Sequence, residues 1–170
     1  MATPLFEGAN TMKQIVCIGW IVLCLLLITS CTAYKTHYRA QFVGDDAYAA
    51  QSGDTYSYRA KNITLEKNQV SITFRDFYGR ETLYRVENVH QEASIMLEID
   101  ISVDSSLYRL VLLNLQTHEI ITLQQGSGYA QKAISLKMGD YAIKSLGYDV
   151  SGEVMLNFTS LNGVSVESSL

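Results

Sequence analysis

Few side chains in this sequence could do chemistry, and they are widely spaced. Cys17, Cys24 and Cys31 all fall within the first 31 of 170 residues. The remainder therefore has no thiol to act as nucleophile, disulfide partner or zinc ligand. Beyond the N-terminal region the histidines are His90 and His118, each beside polar turn-formers, Gln91-Glu92 and Thr117-Glu119. No G-x-S-x-G elbow presents a serine to either, so neither is assigned a catalytic role. Glu98, Asp100 and Asp104, with Ser102 between them, lie on one face of an alternating segment. In a strand, positions two apart are about 6.6–7 Å apart. A flat face at that spacing offers too few oxygens for calcium, which draws about six to eight from a wrapping loop. The stripe is expected to be a solvated face opposite lysine or arginine. Gly126-Ser127-Gly128 lacks the Lys-Ser/Thr pair of a phosphate loop and reads as a hairpin loop. No catalytic residue, metal site or cofactor is expected.

Tyrosine offers more. All eleven tyrosines follow Cys31, whereas the single tryptophan, Trp20, precedes it. Tyr56 and Tyr58 share one face of an extended segment and, with Tyr78 or Tyr84, could form a platform that stacks on a sugar. The same residues also suit a half-buried pleated surface. The candidate binding face is thus Tyr56, Tyr58, Tyr78 and Tyr84. Lys+Arg 13 against Asp+Glu 17 leaves a net charge of −4. That balance argues against a nucleic-acid partner, which usually requires a basic face for phosphates.

The elements that must carry these residues are strands, because the apolar period is two. Gln69–Phe74 alternates Val70, Ile72 and Phe74 with Ser71 and Thr73, and Ser94–Asp104 alternates five aliphatic residues with polar ones. Thr55–Arg59, Leu107–Leu115, Ile120–Leu123, Lys132–Leu136, Tyr141–Leu146 and Glu153–Thr159 complete the set. Turns are expected at Asp104-Ser105-Ser106, Gln116–Glu119, Met138-Gly139-Asp140 and Gly147–Gly152. Arg80–Val89 is compatible with a strand or a short helix. The pattern predicts one all-β domain, an antiparallel β-sandwich of immunoglobulin-like or jelly-roll-like kind, over residues 55–160. Residues 161–170 form a C-terminal tail containing an edge strand.

Leu107–Leu115, LYRLVLLNL, breaks the alternation. Val111, Leu113 and Leu115 fall on one face and Tyr108, Leu110 and Leu112 on the other, so both are apolar. An outer face of this kind must be covered. Another segment of the chain, such as Arg80–Val89 or the tether, is one cover. The other is a partner protein or second copy seated on Val111, Leu113 and Leu115; the oligomeric state stays open.

The N-terminus reads as an address. Ile15–Thr29 is fifteen residues without a charge, preceded by Lys13, and Met12 is a plausible start. This is the length of a signal-peptide core, whereas a spanning helix needs about 20 apolar residues. Ile28-Thr29-Ser30-Cys31 resembles the lipobox of bacterial lipoproteins. The resemblance implies cleavage between Ser30 and Cys31, a diacylglyceryl group and acyl chains on Cys31, and a protein held outside the cytoplasm on a cell membrane or outer envelope. Two long acyl chains would anchor it with on the order of 20 kcal/mol, at about 0.8 kcal/mol per CH₂. Residues 1–30 are then signal peptide and 31–54 a tether, with Tyr34, Lys35, His37, Tyr38 and Arg39 suited to headgroups. Gly44–Asp54 reads as linker, made soluble by Asp45-Asp46. The alternative anchor is an uncleaved single-pass helix reaching Tyr34.

The stretches Ala93–Leu123 and Ala133–Phe158 are similar to the carboxy-terminal half of small sandwich modules in secreted bacterial lipoproteins. Gly139, Tyr141 and Ile143 match a G-x-Y-x-I pattern, and Gly147 and Gly152 match glycines closing a last hairpin. The resemblance supports the fold and says little of activity. The expected function is a non-catalytic binding or scaffolding module engaging envelope protein or glycan, with an envelope hydrolase as the alternative.

Overall fold

The structure, a computed structural model, describes residues 42–88 and 92–170. The lipobox with Ser30 and Cys31, the first part of the tether, and His90 lie outside the described residues. Nine strands follow a short helix α1 (Asp46–Ala50). They are β1 (Thr55–Ser57), β2 (Ala60–Glu66), β3 (Gln69–Asn88), β4 (Ala93–Val103), β5 (Tyr108–Asn114), β6 (Ile120–Gln125), β7 (Gly128–Leu136), β8 (Gly139–Asn162) and β9 (Ser165–Ser168). Every strand pairing is antiparallel.

β3 and β8 organise the sheet. They pair along their whole shared length, from Gln69 opposite Asn157 to Asn88 opposite Gly139. Their first-described ends carry β2 on β3, and β4 with β7 beyond it on β8. Their other ends carry β1 and β9 on β3, and β5 with β6 beyond it on β8. We call these halves the lower and upper layers. Their inner faces share one core, in which Val70, Ile72, Leu97, Ile99 and Leu156 of the lower layer join Val86, Leu110, Leu112 and Ile143 of the upper. The sandwich is therefore one sheet folded over on itself, in keeping with the antiparallel β-sandwich expected from the sequence.

The fold-over has a local cause. Between Phe74 and Phe77 the ladder has an extra residue on β3, and between Phe77 and Tyr78 an extra one on β8. The first interval contains Asp76 and the second Asp149, both with left-handed φ (52° and 57°). Aspartate tolerates that region better than most residues, and paired bulges sharpen strand bending. The second bulge cancels the first, so the register is the same on both sides of the bend. Phe77 is fully buried at this point, stacked on Tyr58 at 4.6 Å. It lies so close to Gly147 that a Cβ there would fall 2.7 Å from its Cε1.

This corrects the turn expected at Gly147–Gly152 and the glycine-closed hairpin inferred for it. β8 continues through these residues, because here glycine admits a neighbouring ring and a bend without ending the strand. Arg80–Asn88 is likewise resolved as strand, the second half of β3. β2 escaped notice because it is an edge strand with mostly exposed residues and weak alternation. Residues 161–170 are not a tail. β8 extends to Asn162, β9 pairs with Tyr84–Glu87, and Val164, Val166 and Leu170 pack on the core. Gly126-Ser127 forms no hairpin within one ladder; it passes from β6 in the upper layer to β7 in the lower.

Gly147→Ala should lower stability by about 1–3 kcal/mol through overpacking against Phe77. Combining it with Phe77→Leu should recover part of that loss in urea unfolding. Strict additivity of the two changes would show that the notch and the ring are not coupled.

Candidate functional site

The outer face of the upper layer is built from residues of three neighbouring strands, alternate on β5 and β8 and, on β3, shifted by a bulge between Thr82 and Tyr84. β3 presents Arg80, Thr82 and Arg85, β8 presents Ala142, Lys144 and Leu146, and β5 presents Arg109, Val111 and Leu113. Residues 42–54 lie across this face as a strap. The strap begins with an apolar contact: Val43 and Ala49, both buried, pack with Val111 and Leu146. Phe42 packs at a tilt against Tyr48, ring centres 3.9 Å apart, and meets the edge of Tyr148 at 6.0 Å. Asp45 starts the helix as an N-cap, its Oδ1 accepting from the Ala47 N–H at 2.9 Å.

Polar side chains from the sheet then clamp the strap along its length. Arg109 makes an ion pair with Asp46 at 2.8 Å and donates to the Gly44 carbonyl at 3.3 Å, with Thr122 Oγ1 as its other partner. Arg80 donates to the carbonyls of Gly53 and Ser52, and its guanidinium sits 4.6 Å from the centre of the Tyr48 ring. Lys144 Nζ donates to the Gln51 carbonyl at 3.2 Å, and Thr82 Oγ1 donates to Asp54 at 2.8 Å.

The linker expected at Gly44–Asp54 is thus a packed part of the domain, and Asp45 and Asp46 are a cap and a clamp more than solubilising charges. The strap also answers the question of what covers β5. Val111 lies beneath Val43 and Ala49, Leu113 is buried, and Leu115 is half-buried. The cover over Val111 is the tether side of the same chain, whereas Leu113 and Leu115 line a pocket beside it.

Past the helix the strap stands off the sheet and leaves a pocket of about 690 Å³. Leu113, Leu115 and Ala142 give it apolar walls, and Gln51, Ser52 and Gly53 form its rim. Arg80, Arg85, Lys144 and His118 face it, with Asp54 as the one carboxylate. Lys144 and Arg80 are only 3% and 5% exposed, whereas Arg85 and His118 are exposed. Burial is the main cause that holds the Lys144 ammonium below the ordinary lysine pKa. Asp54 pushes the other way, and Arg80 and Arg85 add to the depression. His118 reaches the pocket from the turn after β5 with φ 60°.

A second charged cluster lies on the inner side of the same layer and behaves differently. Glu81 accepts from Lys61 Nζ and from the Tyr58 hydroxyl, both at 2.5 Å. Burial and the Glu81 carboxylate hold the Tyr58 hydroxyl far above the usual phenol range, and burial does the same to Tyr108. Here charge meets opposite charge.

The tyrosines named as a binding face do not assemble into a platform. Tyr84 is buried in the core, edge-on to Phe158 at 4.9 Å, and Tyr58 is stacked on Phe77 with its hydroxyl engaged. Tyr56 and Tyr78 remain exposed, and Tyr78 packs edge-on against Tyr148. The acidic stripe faces outward, but its cross-strand neighbours differ from those expected. Glu98 lies between Gln131 and Asn157, and Asp100 between Tyr129 and Met155. Glu98 accepts from Asn157 Nδ2 at 3.0 Å, and Asp104 from the Ser151 N–H at 2.9 Å. Among the described residues no cluster of three metal-ligating side chains occurs.

The pocket residues were missed from sequence. The available signal was a cation inside an apolar strand: Lys144 in YAIKSL and Arg109 in LYRLVLL.

No protein-family model and no curated protein matches the sequence. Among solved structures, the chain is similar to one described as "CBM4 structure and function", with TM-score 0.35 and 9% identity, covering 69% of this chain and 79% of that one. It is also similar to the Drosophila melanogaster CENP-C cupin domain, with TM-score 0.26 and 8% identity, covering 75% and 98%. Likenesses this distant carry no argument about ligand or activity.

Two substitutions separate the clusters. Glu81→Ala leaves Lys61 and Tyr58 without their acceptor in a buried setting and should cost about 3–5 kcal/mol in denaturant unfolding. Arg109→Ala should instead free the strap locally. Hydrogen exchange at residues 46–51 should quicken by about tenfold or more, with the strand amides of β3 and β8 unchanged.

Proposed function

We propose that the protein is a lipid-anchored, non-catalytic binding module that works at the outer face of a membrane, with the strap pocket as its ligand site. One observation carries the binding half of this reading. A preformed pocket of about 690 Å³ is walled by a rigid sheet and rimmed by backbone carbonyls that hold its buried cations in place. Its size lies within the range of about 300–1,000 Å³ common to small-molecule sites. Its polar groups are donors that can orient a ligand, and Asp54 is already engaged by Thr82. Such a set recognises a ligand more readily than it moves a proton.

The anchor half rests on Ile15–Thr29 followed by Ile28-Thr29-Ser30-Cys31. Lipid on Cys31 would keep the module at the membrane while its pocket samples the surroundings. Within this reading the ligand belongs to the pocket and not to the tyrosines, since Tyr58 and Tyr84 are committed to the fold.

Metabolic labelling with a traceable fatty acid should mark the wild-type protein in the membrane fraction, and Cys31→Ala should lose both label and sedimentation. An unlabelled protein that still sediments would replace the lipid anchor with an uncleaved helix. For the binding half, detergent-solubilised protein should return its ligand chemically unchanged. Turnover of a pocket ligand would make the protein an enzyme.

A further inference from the structure

The strap pocket contains charge that the protein does not neutralise. Arg80, Arg85 and Lys144 face it, and none lies within ion-pairing distance of a carboxylate among the described residues. Arg80 and Lys144 donate to carbonyl oxygens of Gln51, Ser52 and Gly53, and Arg80 also lies over the Tyr48 ring. Carbonyl dipoles fix the direction of a cation but carry no net charge. Asp54, the sole carboxylate on the wall among the described residues, accepts from Thr82. Among the described residues the site thus has three permanent cations and one anion, and two of the cations are buried.

Burying an unpaired cation is unfavourable, and folded proteins normally supply a counter-charge. This chain does so elsewhere on the same layer, where Lys61 meets Glu81 at 2.5 Å. In the pocket Arg80 and Lys144 are held on strap carbonyls and Arg85 lies across the ladder from Glu167, with no ion pair to any of the three among the described residues. Two are guanidinium groups, whose planar donors match a carboxylate or phosphate, and the third is a point-charge ammonium. Leu113, Leu115 and Ala142 flank them with apolar surface, which an inorganic ion would not use.

We propose that the strap pocket is an oxyanion site that takes the carboxylate or phosphate group of a small organic anion between Lys144, Arg80 and Arg85, with the ligand's body against Leu113, Leu115 and Ala142. This assignment rests on the binding-module reading and narrows it to a ligand class. The bound group supplies the counter-charge the fold lacks, so ligand-free protein carries an electrostatic cost that the complex does not. The depressed Lys144 ammonium fits this arrangement, because an anion would raise it back toward the ordinary lysine value against the opposing effect of Arg80 and Arg85.

The test is a thermal-shift and calorimetric titration of the full chain in neutral detergent with four probes: inorganic phosphate, glucuronate, glucose 6-phosphate and glucose. Both organic anions should raise the melting temperature and bind saturably, phosphate more weakly, and glucose not at all. Arg85 is exposed, so Arg85→Gln should keep the fold while weakening the organic anions on the order of tenfold. Lys144→Met should weaken them similarly and leave the ligand-free melting temperature equal or higher, an outcome that loss of a merely structural lysine would not give. Adding vesicles of phosphatidylglycerol or phosphatidylcholine identifies the source of the anion. Competition with glucose 6-phosphate by the former alone would assign a lipid headgroup, and competition by neither a free solute.

Glucose binding as well as the anions, with loss in pocket variants, would overturn the anion assignment and leave a binding module. Binding by none of the probes, together with a lower melting temperature for Lys144→Met, would overturn both.

Discussion

The bend shared by β3 and β8 is the constraint on which the architecture depends. β1, β2 and β9 pair with β3, β4 and β5 pair with β8, and β6 and β7 lie one strand further out. If the two long strands ran straight, these ladders would spread into a single open sheet and the core residues of the two halves would never meet. Two bulges of one residue each, one on either strand, turn the pair without disturbing its register. Phe77 seated against Gly147 locks the turn with a side chain that no larger residue at 147 would admit. The inner face of the folded sheet then closes over one continuous apolar cluster.

The same geometry creates the outer problem that the strap solves. β5 and the first part of β8 are apolar on both sides, so the upper layer would expose Val111, Leu113 and Leu146 to water. Residues 42–54 dry part of that face and are held mainly by side-chain clamps, because the strap joins no ladder. The polar residues that do the clamping must stand on the outer face, and a strap that lifts away after its helix leaves them around a cavity. The side chains that fasten the strap therefore also line the pocket. The contrast between the two faces of this layer is informative. Lys61 and Glu81 compensate each other on the inner side, whereas on the outer Lys144 and Arg80 are met by backbone carbonyls and, for Arg80, the Tyr48 ring.

Much of this was legible in the sequence, and the gaps have physical causes. The all-β class followed from period-two alternation in segments such as Ser94–Asp104, which became β4 almost unchanged. The doubly apolar run Leu107–Leu115 correctly required a cover and admitted the tether as one. Other signals were ambiguous in kind. Glycine marks both turns and close approaches, so Gly147 and Gly152 read as the end of a strand that in fact continues. Small and acidic residues mark both linkers and helix starts, so Asp45-Asp46 read as solvation. Tyrosine fits both platforms and cores, and only the packing of Tyr84 and Tyr58 decides between them. The pocket itself was out of reach, since it joins the strap, β3, β5 and β8, which are far apart in the chain. Only the placement of Lys144 and Arg109 within apolar strands hinted at it.

The long pairing of β3 with β8 also governs when the domain can close. A ribosome finishes Asn88 well before it reaches Gly139, its partner, and Gln69 waits longer still for Asn157. At about 5–20 residues per second that interval lasts several seconds. Throughout it β3 can dock only its early neighbours, and the bend has no second strand to hold it. The nascent chain must therefore stay open until most of it has been made, as contacts so remote in sequence also slow closure afterwards.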